Sequence, residues 1–184
     1  MNRSIDMEKL RALRPQDVVL VLALAAREPH PWQSKQLAQA LCLSPAEVSY
    51  ALRRCQNSRL LDEGRRVQRR SFIEFLRHGL PYVFPAHPGF QARGMLTGPS
   101  VPLLQPQFGE GIPYVWPVAE GEAWGATVTP LYPGAPAAAR QDPTLYELLA
   151  LVDTIRLGRP REVKLAGELL QQRLLAEPQP THAS

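Results

Sequence analysis

Residues Ser34 to Arg70 read SKQLAQALCLSPAEVSYALRRCQNSRLLDEGRRVQRR. Leu37, Ala38 and Leu41 fall on one face of a first short helix. Ser44 then stands at an N-cap, Pro45 at the first helical position and Glu47 at the third. The Ser hydroxyl accepts a free backbone N–H, Glu47 would reach back to the cap, and Pro gives up no hydrogen bond there. In the second helix Val48, Ala51, Leu52 and Cys55 form an apolar stripe. Glu47, Ser49, Tyr50, Arg53 and Arg54 are left to face outward. LLDEGRRV (60–67) reads as strand, turn at Glu63-Gly64 and strand, with Arg65 and Arg66 at the tip.

A short helix, a turn, a second helix and a basic hairpin make the outline of a winged helix-turn-helix. SKQLAQALCLSPAEVSYALRR (34–54) resembles the helix-turn-helix of MarR-type and related bacterial winged-helix regulators. The shared pattern is a small polar cap, Leu-Ala, a turn, Leu-Ser, then Val-Ser and a basic end, and the match covers about residues 15–70. One departure is Cys42, at a turn position often held by Gly. If that residue must take a positive φ, Cys suits it poorly, so a tighter or differently shaped turn is expected.

The resemblance implies sequence-specific binding to double-stranded DNA, with the second helix in the major groove. Ser44, Ser49, Tyr50, Arg53 and Arg54 are the expected base or phosphate contacts. Lys35 and Gln36 would touch the backbone from the preceding helix. Arg65, Arg66, Arg69 and Arg70 would hold phosphates from the hairpin and the helix after it. The bland alternative is a helical hairpin whose charges merely face water.

Charge distribution favours the nucleic-acid reading. The 184-residue chain carries a net +4. Residues 1–80 hold 14 basic and 8 acidic side chains, and residues 81–184 hold 7 and 9. The positive half is the one with Arg53, Arg54, Arg59, Arg65, Arg66, Arg69 and Arg70. A single-sign cluster beside a recognition helix is the footprint expected for phosphate.

The expected fold class is mainly α with some β, in four parts. Residues 1–80 form the winged helix-turn-helix. Residues 81–141 form a Pro/Gly/aromatic-rich extension with short strands. Residues 142–176 form a C-terminal helical hairpin, and residues 177–184 a frayed tail. Ile5, Leu10 and Leu13 suggest a short N-terminal helix. Pro15, Gln16 and Asp17 open a helix to Arg27 that is apolar nearly all round, and so buried on most faces. Two prolines make Glu28–Trp32 a stiff loop. SFIEFLRHGL (71–80) is amphipathic and closes on Gly79 and Pro81.

Twelve of the nineteen prolines fall between Pro81 and Pro143. So dense a run excludes helix, yet its aromatics argue against plain disorder. Short strands are expected at Tyr114–Pro117 and Gly125–Thr129, with residues 94–113 the most mobile. Trp116, Trp124 and Tyr132 would either pack or line an effector pocket. Asp142 caps the next helix, whose stripe is Leu145, Leu148, Leu149, Val152 and Ile155, and Gly158 stops it. A second helix starts at Pro160.

No apolar run reaches the length of a membrane span. Two cysteines make no disulfide framework, which fits a reducing cytoplasm. Cys42 and Cys55 invite a redox reading, but Cys55 continues an apolar stripe and reads as core. No metal-spaced His/Cys set, GxSxG, phosphate loop or GxGxxG after a strand is present, so neither enzyme activity, metal nor cofactor is expected. Two-fold dimers read two half-sites where one module competes poorly. A homodimer through the N-terminal segment and the C-terminal hairpin is therefore expected, acting as a repressor. The same outline also serves protein interaction. The alternative is then an antitoxin-like or defence-operon partner that engages an enzyme through residues 81–141.

Overall fold

The computed structural model describes residues 12–27, 30–109 and 111–176. The expected N-terminal helix lies largely outside them, as do Glu28, Pro29 and the tail 177–184. The chain is mainly helical with one small three-stranded sheet. Helix α1 spans Pro15–Arg27, and every residue from Asp17 to Ala25 is buried. With apolar side chains all round, it can exist only inside the molecule.

Helices α2 (Ser34–Ala40) and α3 (Pro45–Asn57) follow. Between them Leu43 N–H bonds to Ala38 O at 2.9 Å and Cys42 N–H to Gln39 O at 3.2 Å. This is the two-bond Schellman ending, which needs a left-handed residue. Cys42 supplies it with φ 52°. The turn thus keeps the shape that Gly would give, against the expectation of an altered one, and Cys bears the left-handed strain of about 1–2 kcal/mol. Helix α3 ends the same way. Leu60 N–H bonds to Cys55 O at 2.9 Å and Arg59 N–H to Gln56 O at 3.0 Å, with Arg59 at φ 60°.

Ser44 caps α3 as expected, its Oγ accepting from Glu47 N–H at 3.1 Å. The reciprocal bond from Glu47 is replaced. Its carboxylate accepts from Arg54 Nη2 at 2.5 Å and from Gln16 Nε2 at 3.1 Å. Beyond α3 the hairpin is tight rather than extended. Only Leu61 and Val67 pair as strand residues, and Asp62 accepts from Arg66 N–H at 2.8 Å to close the loop. Helix α4 (Arg69–His78) and the single turn α5 (Leu80–Val83) complete this half.

The proline-rich stretch is ordered throughout its described residues. Strands β1 (Gln91–Leu96), β2 (Tyr114–Pro117) and β3 (Ala123–Thr127) each pair with both others, β1 antiparallel to each and β2 parallel to β3. β2 falls where expected and β3 starts two residues earlier. β1 occupies part of the 94–113 stretch expected to be mobile. Closure depends on Gly94, which pairs with both Pro117 and Ala123. A Cβ there would sit 2.2 Å from Trp116 O. The stretch also holds helices α6 (Gln105–Phe108) and α7 (Ala135–Gln141), against the expectation of none. Pro106 and Pro136 lie in their first turns, where a missing N–H breaks no bond.

Helices α8 (Pro143–Leu157) and α9 (Pro160–Leu175) form the expected hairpin. Asp142 caps α8 by accepting from Leu145 N–H at 3.0 Å, and Gly158 ends it at φ 77°. Residues Leu148 to Ile155 are all nearly inaccessible, so α8 buries every side rather than one stripe. Two charges lie inside it. Asp153 Oδ2 accepts from Thr97 Oγ1 at 2.7 Å and from Trp116 Nε1 at 2.6 Å. Its Oδ1 accepts from Arg156 Nη1 at 2.6 Å, and Arg156 also donates to Phe84 O and Thr129 O.

This network decides between packing and a shared pocket for two of the three aromatics. Trp116 is spent on Asp153, and buried Tyr132 donates to Leu41 O in the α2–α3 turn. Trp124 is 62% exposed at the sheet surface. Replacing Asp153 with Ala would leave the Arg156 guanidinium buried without its carboxylate. A loss of about 3–5 kcal/mol in unfolding free energy is expected, read from urea titration.

Candidate nucleic-acid interface

The apolar stripe of α3 faces inward, with Val48, Ala51, Leu52 and Cys55 all buried. Helical geometry then puts Ala46, Ser49, Tyr50, Arg53 and Asn57 on the opposite side, at spacings of three, four, seven and eleven. Ser49, Arg53 and Asn57 are exposed and Tyr50 is half-buried. Arg53 forms no ion pair among the described residues.

Arg54 departs from expectation. It is 2% exposed and lies on the flank of α3, facing the start of α1. Its Nε and Nη2 donate to the two carboxylate oxygens of Asp17, each at 2.7 Å, and Nη2 also reaches Glu47. A planar guanidinium meets a carboxylate by two parallel bonds in this way. Burial pushes the Asp17 carboxyl upward, opposed by those bonds and by the Arg14 N–H. Burial would also raise Glu47, but its bonds from Arg54 and Gln16 outweigh this and hold it below the ordinary carboxylate range. Arg54 is therefore a clamp between α1 and α3, and it is removed from the set of expected DNA contacts.

Arg69 is the second correction. It is half-buried and donates to Ala25 O at 3.0 Å and to Leu174 O, tying the end of α1 to the end of α9. The remaining expected residues lie at the surface. Lys35, Gln36, Ser44, Arg65, Arg66 and Arg70 are exposed. Gln36 turns its amide oxygen back to Gln33 N–H at 3.3 Å, so its backbone-contact role is shared with capping. Ser44 uses its oxygen as the cap acceptor and keeps a hydroxyl hydrogen to donate.

The hairpin is held against α3. Gln56 Nε2 donates to Asp62 O at 3.1 Å and to Glu63 O at 3.2 Å. On its other side Arg65 and Arg66 join His30, Trp32, Gln33 and Ser34 around an open cleft of about 920 Å³. Arg70 lies outside this cleft. Sequence reasoning missed His30 and Trp32 here, because a loop between prolines has no periodicity to say which way its side chains point. Exposed Arg59, in the left-handed ending of α3, was counted in the cationic cluster but given no contact role. Cys55 is sealed inside, and burial pushes its thiol up, whereas Cys42 is exposed. No group of three His, Cys, Asp or Glu side chains among the described residues could hold a metal ion.

No protein-family model, no curated protein and no solved structure matches the chain.

The two neighbouring arginines of α3 should separate cleanly on mutation. Arg53→Ala is expected to leave thermal unfolding unchanged. Arg54→Ala should lower unfolding free energy by about 3–5 kcal/mol, because Asp17 is then buried without its counter-charge. Paired denaturation curves check this, and equal stability of the two variants would contradict the clamp.

Proposed function

We propose that the protein is a sequence-specific regulator of transcription that binds double-stranded DNA as a winged helix-turn-helix. The supporting observation is the outer side of α3, where Ser49, Tyr50, Arg53 and Asn57 line up on a helix whose other side is fully packed. A rigid helix with such a front suits the major groove, where Arg pairs with guanine and Ser or Tyr reaches bases or phosphates. Lys35, Ser44, Arg65 and Arg66 supply backbone contacts beside it. Gln36 and Arg70 extend these at the margins.

The protein acts in this reading as a cytoplasmic homodimer and represses by occupying its operator. No helix of the described residues is long and apolar enough to cross a membrane. A second reading, docking of a protein partner on residues 81–141, draws on three exposed aromatic side chains there. Tyr82 is 83% exposed, Phe90 77% and Trp124 62%.

The test is an anisotropy titration with DNA from the protein's own upstream region, at two salt concentrations, against scrambled competitor. Tight, competitor-resistant and salt-dependent binding is expected. Arg53→Ala should weaken it about tenfold and relax sequence preference, as loss of a base contact does. Arg65→Ala with Arg66→Ala should weaken all duplexes alike and shallow the salt slope by about two. Equally weak binding to every duplex would turn the case to the protein-partner reading.

A further inference from the structure

The cleft of about 920 Å³ beside the hairpin carries chemistry that contact with duplex phosphates does not use. None of the residues lining it is acidic. Arg65 and Arg66 give it two exposed cations, and neither side chain forms an ion pair among the described residues. Arg65 holds a left-handed backbone, at φ 61°, where a hairpin loop ordinarily places Gly, although Gly64 stands next to it. A cation is thus kept at the hairpin tip against backbone preference.

The cleft also holds two rings. Trp32 is half-buried and packed on the hydrophobic core, with its remaining surface in the cleft. His30 is exposed, and its backbone N–H donates to Arg27 O at 2.8 Å. Pro31 fixes its own φ and restricts His30 before it, so the two rings lose little freedom when something stacks on them. Duplex phosphates call for cations alone, because paired bases stack on one another and offer no face to a side chain. Cations interleaved with accessible rings suit an unpaired strand, whose bases do offer their faces.

We propose that this cleft binds unpaired nucleotides of single-stranded DNA. Bases stack on Trp32 and His30, and Arg65 and Arg66 hold the phosphates between them. Such a strand runs on from a duplex seated at α3, because Gln56 of that helix holds the same hairpin. The inference rests on reading this half of the chain as a nucleic-acid surface, but not on its recognising an operator.

Anisotropy titration of the full chain at low salt tests it with two fluorescein-labelled strands of equal length and charge, one of thymidine nucleotides and one abasic. The thymidine strand should bind at least about fivefold tighter, as one stacked base requires. This comparison needs no variant, so the half-burial of Trp32 does not confuse it. Trp32→Ala should then weaken the thymidine strand about tenfold and leave the abasic strand nearly unchanged. His30→Ala, at an exposed position that does not endanger the fold, should weaken the thymidine strand several-fold. No binding of the thymidine strand at micromolar protein, equal affinity for the two strands, or thymidine affinity untouched by both variants would overturn the proposal. If the thymidine strand binds as expected while the upstream duplex shows no specific binding, the cleft stands and only the regulator reading falls. Specific duplex binding with equal affinity for the two strands removes the cleft alone.

Discussion

Two helices of this protein have a central stretch with no side that water can touch. α1 is buried from Asp17 to Ala25 and α8 from Leu148 to Arg156. A helix of this kind must be covered from every direction, and the rest of the chain is the cover. α3 and α8 pack on α1, while α4, α5, α7, α9 and the short turn at Gly98–Ser100 surround α8. Each fully buried Leu or Val contributes about 1.5–3 kcal/mol, so the two helices carry much of what opposes chain entropy. The proline-rich stretch is ordered for this reason: it closes the surface of α8.

Each central helix also holds one buried carboxylate, and each carboxylate selects its partners. Asp17 takes Arg54, which sets α3 against α1. Asp153 takes Arg156, Thr97 and Trp116, which sets the sheet against α8. Hydrophobic contact alone tolerates sliding, whereas a bidentate ion pair or a three-donor carboxylate does not. The outer side of α3 is thus aimed by a contact on its flank. The helix is held by Arg54 so that Arg53, one residue earlier, can face solvent. The same economy appears at Tyr132, whose hydroxyl supports the α2–α3 turn from the far end of the extension.

Much of the local structure was legible in the residues. The caps at Ser44 and Asp142, the stop at Gly158, the inward stripe of α3 and the strand at Tyr114–Pro117 all follow from spacing and from backbone chemistry. They depend on neighbours in sequence, and those are visible. The local misreadings have separate physical reasons. Proline density around Ala135–Gln141 argues against helix only if the prolines fall inside it, and Pro136 falls in the first turn. Cys42 and Arg59 take left-handed backbones that propensity disfavours, because each helix ending satisfies its carbonyls that way.

By itself, then, the sequence determined the positions of the main helices, their capped ends, which face of α3 turns inward, and the concentration of positive charge in the first eighty residues. These are matters of periodicity, propensity and count. Only the tertiary structure decided which charges remain at the surface. Arg53 and Arg54 are adjacent and chemically identical, yet one is exposed and the other sealed against Asp17, 37 residues earlier. Arg69 is drawn inward by carbonyls of Ala25 and Leu174, 44 and 105 residues away. Helical spacing fixes an angle about an axis, but what stands at that angle is set by segments brought near from elsewhere in the chain.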